Sequence, residues 1–210
     1  MTLGIHNFIL FLVSGILLNL TPGPDTAYIL GRSIAQGRAA GIASAFGIMV
    51  GSIFHTCAAA LGLSALLAAS GWAFLAIKLI GGLYLLFLGV KLIAERSEQL
   101  HLPALFRRST AAAAFRQGVV TNVLNPKVAL FFLAFLPQFI DPASPTKVPA
   151  FIALGLTFVT TGTIWCLILA WCAASFSHRL RANRTIARCL NRAVGSLFIF
   201  LGIRLATTRL

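Results

Sequence analysis

Apolar residues along the chain of 210 residues fall into six long runs, separated by short polar or basic connections. Each run except the first is long enough to cross a bilayer, which takes about 20 apolar residues in a helix. The pattern therefore predicts an all-α integral membrane protein with six transmembrane helices in one domain, residues 1–210. The runs are Ile5–Leu20, Ala39–Leu67, Trp72–Ile93, Phe115–Ile140, Val148–Phe176 and Leu190–Ala206.

The two halves of the chain resemble each other. "GLYLLFLGVKL" from Gly82 aligns with "GSLFIFLGIRL" from Gly195, and "LTPG" around Pro22 aligns with "LNPK" around Pro126. Three spans per half is an odd number, so a duplicated half inserts upside down, as in many secondary transporters. We therefore predict two inverted three-helix repeats joined by a basic cytoplasmic loop, at about residues 1–95, 115–210 and 96–114 respectively.

The first and fourth apolar runs are interrupted by helix breakers. Ile5–Leu20 covers only about 24 Å of a hydrocarbon layer about 30 Å thick, so the "TPGPD" that follows lies within the membrane. The fourth run is broken near its middle by Asn125 and Pro126. A break in lipid frees backbone groups, which must then face protein or a wet cavity. We predict two broken helices whose breaks face inward, with the breaks made by Pro22, Gly23, Pro24 and Pro126.

Asp25 and Lys127 are ionisable residues beside these breaks. A charge at the bilayer centre costs about 2.5 to 3.5 kcal/mol on insertion scales, so something must offset it. In one interpretation Asp25 caps the second half-helix and pairs with Lys127 as a structural clasp. In the other, Asp25 faces an ammonium or a proton, and Lys127 faces a carboxylate, in a substrate site. We favour the second, because intramembrane ionisable groups at helix breaks are by default site candidates.

Short polar side chains supply further candidates for this site. Asn19, Thr21, Asn122 and Asn125 can replace the backbone hydrogen bonds lost at the breaks, or contact a substrate. His55 can join a proton relay, because imidazole changes its charge near neutral pH, or it can be a satisfied structural histidine. The half-helices that restart after the prolines also direct positive dipole ends into the bundle, where they can hold a carboxylate.

Composition and charge agree with a membrane protein. Hydrophobic residues make up 59% and charged residues 10%, which is outside the usual balance of soluble domains. The net charge of +13 comes from Lys and Arg in alternate connections, Arg32 and Arg38 among them, so topology and lipid headgroups explain it better than nucleic acid. This asymmetry predicts that both termini are periplasmic. The four cysteines have no C-x-x-C spacing, and we expect no metal and no cofactor.

Several motifs together resemble a known family. "LTPGPD", "GRSIAQGRAAGIASAFGIMVG", "KLIGGLYLLFLGVKL", "NVLNPKVALFFLAFLPQF" and "GSLFIFLGIRL" are similar to the LysE/RhtB superfamily of bacterial amino-acid exporters, and "TPGPD" is nearest to its homoserine/threonine-efflux branch. The resemblance implies a six-helix inner-membrane protein that expels an amino acid or a small derivative in exchange for protons. Its motifs cover the residues from Pro22 to Asp25, and also Asn122, Asn125, Pro126 and Lys127. Some relatives have an acidic residue near Ser52, which this chain lacks.

A secondary transporter that exports a small zwitterion by proton antiport is therefore the predicted function. A passive channel is the alternative, because broken helices also build selectivity filters. An intramembrane enzyme is less favoured, since H-E-x-x-H and G-x-S-x-G are absent from the sequence. We expect that the protein is not an enzyme. The glycines suited to helix packing are compatible with a homodimer.

Overall fold

A computed structural model describes two continuous stretches, residues 3–65 and 110–173, which hold the predicted first, second, fourth and fifth spans. Parts of the predicted third and sixth spans, and most of the loop at 96–114 and of the basic segment before the sixth span, lie outside the described residues. Shorter described pieces fall at 79, 82–84, 86–87, 89–91, 93–94, 189, 192–193, 195–196, 198–200 and 202–203.

The described chain is helical, and its one β-type contact there is an isolated bridge between Ile5 and Ile140. Helix α3 ends in a π-helical turn at Ala59–Leu63, and α5 continues through π-helical and 3-10 turns to Phe139. The helices are α1 (Phe8–Leu20), α2 (Pro24–Gln36), α3 (Arg38–Ala58), α4 (Ala111–Val123), α5 (Pro126–Leu130) and α6 (Lys147–Trp171).

Two described helices are long and apolar enough to cross a membrane, Arg38–Leu63 and Lys147–Trp171. Counting each bent pair, α1 with α2 and α4 with α5, as one span raises the number to four among the described residues. A shorter apolar helix, Gly82–Lys91, falls in the predicted third span. The described part of the chain is thus all-helical, with segments that are long and apolar enough to span a membrane.

Both predicted interruptions are confirmed. The axes of α1 and α2 differ by 47°, and those of α4 and α5–Phe139 differ by 46°. Pro24 and Pro126 each begin the helix that follows its break, where the missing N–H of proline removes no helical hydrogen bond. The bends therefore follow from the local sequence.

Two apolar cores lie on either side of the breaks. The first core is rich in phenylalanine and contains Phe11, Phe131, Phe135 and Phe158, from α1, α5 with its continuation, and α6. Their rings stack closely, with centroids 4.5 Å apart for Phe131 and Phe158. The second core is smaller and joins α2, α3 and α6 around Ile29. Polar residues from both breaks lie between the two cores.

Helices α3 and α4 approach each other through glycines. A Cβ atom on Gly51 would lie 2.7 Å from Asn122 Cβ, and one on Gly118 would lie 2.6 Å from the carbonyl oxygen of Ser44. Real Cβ atoms do not come so close, so these positions require glycine. Gly51 and Gly118 therefore allow α3 and α4 to pack closely.

The described parts of the third and sixth predicted spans also meet through glycines. A Cβ on Gly89 would lie 2.6 Å from the Gly195 carbonyl oxygen, and a Cβ on Gly195 would lie 2.7 Å from that of Gly89. A Cβ on Gly202 would lie 2.8 Å from the Gly82 carbonyl oxygen. These contacts are reciprocal: the first glycine of each aligned motif meets the second glycine of the other.

The prediction that Arg32 lies in a basic connection between spans is wrong. Helix α2 continues to Gln36 and turns only at Gly37, whose φ of 87° suits glycine. Arg32 consequently lies inside the helix and is 3% exposed.

Candidate functional site

The polar layer between the two cores is built from both helix breaks and from α3. We call its members the break cluster. They are Thr21, Asp25, Ser52, His55, Asn122, Asn125 and Lys127.

Lys127, from the second break, reaches across to the first. Its Nζ donates hydrogen bonds to the carbonyl oxygens of Leu18, at 2.7 Å, and Thr21, at 2.8 Å. These carbonyls are at the C-terminal end of α1, where the helix leaves acceptors without intrahelical partners and its dipole is negative. The lysine side chain also lies against Gly23. Lys127 therefore neutralises the end of α1.

Asp25 lies in the first turn of α2, where a negative charge complements the helix dipole. The N-cap residue is Gly23, so Asp25 does not have the capping role that the less favoured interpretation gave it. The carboxylate Oδ2 accepts a hydrogen bond from Asn122 Nδ2 at 2.8 Å. The buried Oδ1 has no well-formed hydrogen bond among the described residues, although the Asn125 side chain lies within hydrogen-bonding reach of the carboxylate and Lys127 and His55 interact with it electrostatically.

No ion pair joins Asp25 and Lys127 in the described part of the chain, since each charge binds groups of the opposite break. The direct clasp considered from the sequence is therefore absent from this structure. What connects the breaks is a pair of crossed contacts, Lys127 to α1 and Asn122 to Asp25.

Asn122 is the hub of the cluster and is 1% exposed. Besides its bond to Asp25, its Oδ1 accepts from Ser52 Oγ at 3.2 Å. Its backbone carbonyl lies 3.1 Å from His55 Nε2. A carbonyl only accepts, so Nε2 carries the hydrogen and Nδ1 is the ring nitrogen left to take up a proton.

Of the remaining predicted residues, two belong to the break cluster and one does not. Asn125 caps α5, because its Oδ1 accepts from the backbone N–H of Lys127 at 3.0 Å. Thr21 donates its hydroxyl to the Leu17 carbonyl at 2.8 Å and gives its own carbonyl to Lys127. Asn19 is directed elsewhere, with its Nδ2 bonded to Thr161 Oγ1 on α6 at 3.3 Å.

Ser52 belongs to the cluster, although the sequence analysis did not select it as a site residue. It shares one face of α3 with His55 and Thr56, and all three are buried. The spacing of i, i+3 and i+4 on a membrane helix was the signal that could have identified it.

The hydrogen-bonding capacity left in the cluster is small and specific. An ammonium has three donors, and two of those on Lys127 bind carbonyls, so one remains. Asp25 retains its buried Oδ1 as an acceptor. The site thus has one cationic donor and one anionic acceptor available. Among the described residues, no group of three His, Cys, Asp or Glu side chains comes together as a metal site would require.

Known proteins similar to this chain are translocators and other membrane proteins. The family described as LysE type translocator matches residues 16–209, nearly the whole chain. The chain belongs to the LysE family. Uncharacterized membrane proteins of this family type occur in Vibrio cholerae and Pseudomonas aeruginosa; the first is 31% identical over 205 residues, covering 98% of both chains. The second is 30% identical over 217 aligned positions, covering 100% of this chain and 99% of its own.

A leucine efflux protein of Salmonella typhimurium is 28% identical over 204 residues, which cover 97% of this chain and 96% of the relative. No solved structure matches the chain significantly. Membership of the LysE family and similarity to a leucine efflux protein support an amino-acid exporter, and the apolar helices fit a membrane protein.

Proposed function

We propose that this LysE-family protein exports an α-amino acid across the bacterial inner membrane by exchange with protons, and that the break cluster binds the substrate. The observation that carries the proposal is the unused pair of groups, Asp25 Oδ1 and the third N–H of Lys127. A buried polar atom without a partner costs about 1 to 3 kcal/mol. An ammonium on Asp25 would remove this deficit, and a carboxylate on Lys127 would use the third N–H of its ammonium.

An apolar side chain suits this site better than a charged one. The other side-chain contacts of the cluster are internal, as in the bonds of Ser52 and His55 to Asn122. The first core begins directly beside it, where Phe132 stacks on His55 with ring centroids 5.8 Å apart. Relatives named leucine efflux proteins agree with an aliphatic substrate.

Transport then requires alternate access to the cluster from the two sides of the membrane. We assign the chain two inverted repeats of three helices, with both termini in the periplasm. The nearly equal bends of 47° and 46° and the reciprocal glycine contacts support the repeat. The basic connections support the orientation. In this arrangement α1 and α5 lie towards the periplasm, while α2 and α4 lie towards the cytoplasm.

The proton and the substrate ammonium compete for Asp25 in this mechanism. The amino acid binds from the cytoplasm with its ammonium on Asp25, and release to the periplasm leaves the carboxylate exposed to protons. A proton on Asp25 then replaces the positive charge and allows the empty protein to return. His55 Nδ1 is a second position for that proton, since Nε2 stays with the Asn122 carbonyl.

Proteoliposomes test this proposal. When the vesicle interior is acidic, transporter molecules whose cytoplasmic face points outward should accumulate labelled leucine inside the vesicle against its gradient. Asp25→Asn should insert normally and lose accumulation by at least about 100-fold, because the amide cannot exchange the proton. Asp141→Asn is the matched control. Asp141 is an exposed carboxylate in the connection before α6, and its Oδ1 accepts a hydrogen bond from the Ala143 N–H. Undiminished accumulation by Asp25→Asn would remove Asp25 as the coupling site.

The same vesicles separate the alternative functions. A passive channel would equilibrate leucine without accumulating it. An enzyme would change its mass, which mass spectrometry of the vesicle contents would detect. A panel containing threonine, homoserine and lysine would define the side-chain preference. The absence of uphill movement for all of them would contradict amino-acid export.

A further inference from the structure

Helix α2 is a short rod bounded by two glycines. It begins after Gly23, which has extended backbone angles of −166° and −172°, and it ends at Gly37, where φ is 87°. Its 13 residues make a rod about 20 Å long. Because helical hydrogen bonding stops at both glycines, α2 can change its direction with little cost to its own hydrogen bonds.

Side chains fasten α2 to α4. The hydroxyl of Tyr28 donates to the Ala114 carbonyl at 2.7 Å, and one helical turn further Arg32 Nη2 donates to Gln117 Oε1. The Arg32 guanidinium also lies over the Tyr28 ring, 5.5 Å from its centroid. We call these two contacts the latch. Arg32 is buried while Gln117 is exposed, so the latch lies at the edge of the bundle.

On the other side of the breaks, α1 and the continuation of α5 are joined differently. The segment before α1 bonds through its backbone to the end of the α5 continuation, from His6 N–H to the Phe139 carbonyl at 3.0 Å and from Asp141 N–H to the Gly4 carbonyl at 2.9 Å. Phe11 and Phe139 pack edge to face there, with centroids 5.4 Å apart. Opening this side would break backbone pairing and an aromatic core together.

We propose that α2 is the cytoplasmic gate of the transporter, and that the latch formed by Tyr28 and Arg32 on α4 holds it shut. The gate opens when α2 swings about Gly23 and Gly37, away from α4, and uncovers the break cluster. Opening the α2 side breaks two side-chain hydrogen bonds and separates α2 from the smaller second core, whereas opening the other side breaks two backbone hydrogen bonds and the larger phenylalanine-rich core, so the α2 side opens first. The proposal rests on the proposed function, since it assigns an access route to the same site.

The native Cys166 reports on the gate. It lies on α6, where it is buried in the second core against α2 and α3, and it is close enough to Asp25 and Lys127 to interact with both. Cys57, Cys172 and Cys189 are exposed and would be replaced by alanine. The rate at which a membrane-impermeant maleimide labels Cys166 would then be measured in inside-out and right-side-out vesicles, without substrate.

Gln117 is the side chain to vary. Gln117→Ala removes the acceptor of the latch, and labelling from the cytoplasmic face should become at least about fivefold faster. Gln117→Glu converts the contact into an ion pair, and labelling should become slower than in the parent. Arg38→Ala is the matched control, because Arg38 stacks on Trp171, with its guanidinium 4.9 Å from the ring, and takes no part in the latch.

Two results would contradict the proposal that α2 is the gate. One is equal labelling rates in Gln117→Ala and Arg38→Ala. The other is faster labelling from the periplasmic face or from both faces, which would indicate general loosening or the opposite orientation. Since labelling needs no transported substrate, it stays informative even if the protein proves not to export amino acids. Conversely, loss of accumulation in Asp25→Asn says nothing about α2.

Discussion

The two helix breaks bend by almost the same angle, 47° and 46°, yet they satisfy their backbone groups in different ways. At the second break Asn125 caps the following helix with its own side chain, and its backbone N–H bonds to the Asn122 carbonyl. At the first break α2 has no side-chain cap, and the end of α1 depends on Lys127. The second break is complete in itself, whereas the first depends on the second.

This dependence offers a way to couple binding to movement. A substrate carboxylate that attracts Lys127 competes with the carbonyls of Leu18 and Thr21 for the same ammonium. Binding would therefore weaken the contacts that hold the end of α1 to the start of α5. We expect the first break to respond to substrate while the second keeps its shape, and three substitutions test this difference.

Replacing Lys127 should have the largest effect. Lys127→Met approximately keeps the length of the side chain and removes both hydrogen bonds to the end of α1, so the carbonyls of Leu18 and Thr21 each lose a donor, at a cost of about 1 kcal/mol each. We expect a clear fall in the thermal unfolding midpoint in detergent and a loss of leucine efflux.

Lys147→Met is the control for that experiment, because Lys147 begins α6 beside the 141–146 connection, away from the breaks. An unchanged midpoint in Lys127→Met would show that the first break does not depend on the second.

Replacing Asn125 should have an intermediate effect confined to the second break. Asn125→Ala removes the N-cap of α5, which typically costs about 1 kcal/mol. Asn125→Ser keeps a capping oxygen and should recover most of the lost stability. The measurement is again the unfolding midpoint of the purified protein. If serine failed to restore it, the amide of Asn125 would have a role beyond the cap.

Replacing Thr21, which aligns with Asn125 in the internal repeat, should have the smallest effect. Thr21→Val removes a hydroxyl that donates to the Leu17 carbonyl, but that carbonyl still accepts from the Thr21 backbone N–H at 3.1 Å. We expect a loss below about 0.5 kcal/mol, because no buried group is left unpaired. A loss as large as that of Asn125→Ala would mean that the aligned side chains have equivalent roles.

Local signals explain what could be predicted. Prolines at 22, 24 and 126 interrupt apolar runs in the sequence, and the helices break at these places because proline lacks the N–H that a helix needs. The charges at Asp25 and Lys127 were recognised as unusual for a membrane segment. Their partners could not be predicted, since Asn122 is 97 residues from Asp25 and Leu18 is 109 residues from Lys127.

Arg32 illustrates the same limit. In the sequence it is a basic residue between two apolar runs, and positive charge there is typical of a cytoplasmic connection. Its burial depends on how far α2 continues and on Tyr28 and Gln117 at its sides, and neither the helix end at Gly37 nor α4 is visible in the residues around Arg32.

By itself the sequence determined a helical membrane protein, two helix breaks and the charges beside them, because apolar length and proline chemistry act over a few residues. The tertiary structure decided that the charges bind opposite breaks, that Asn122 joins three helices, and that one side of the bundle closes with side chains and the other with backbone. These features depend on the crossing of helices distant in the chain, where close packing and the need to satisfy every buried polar group select the partners.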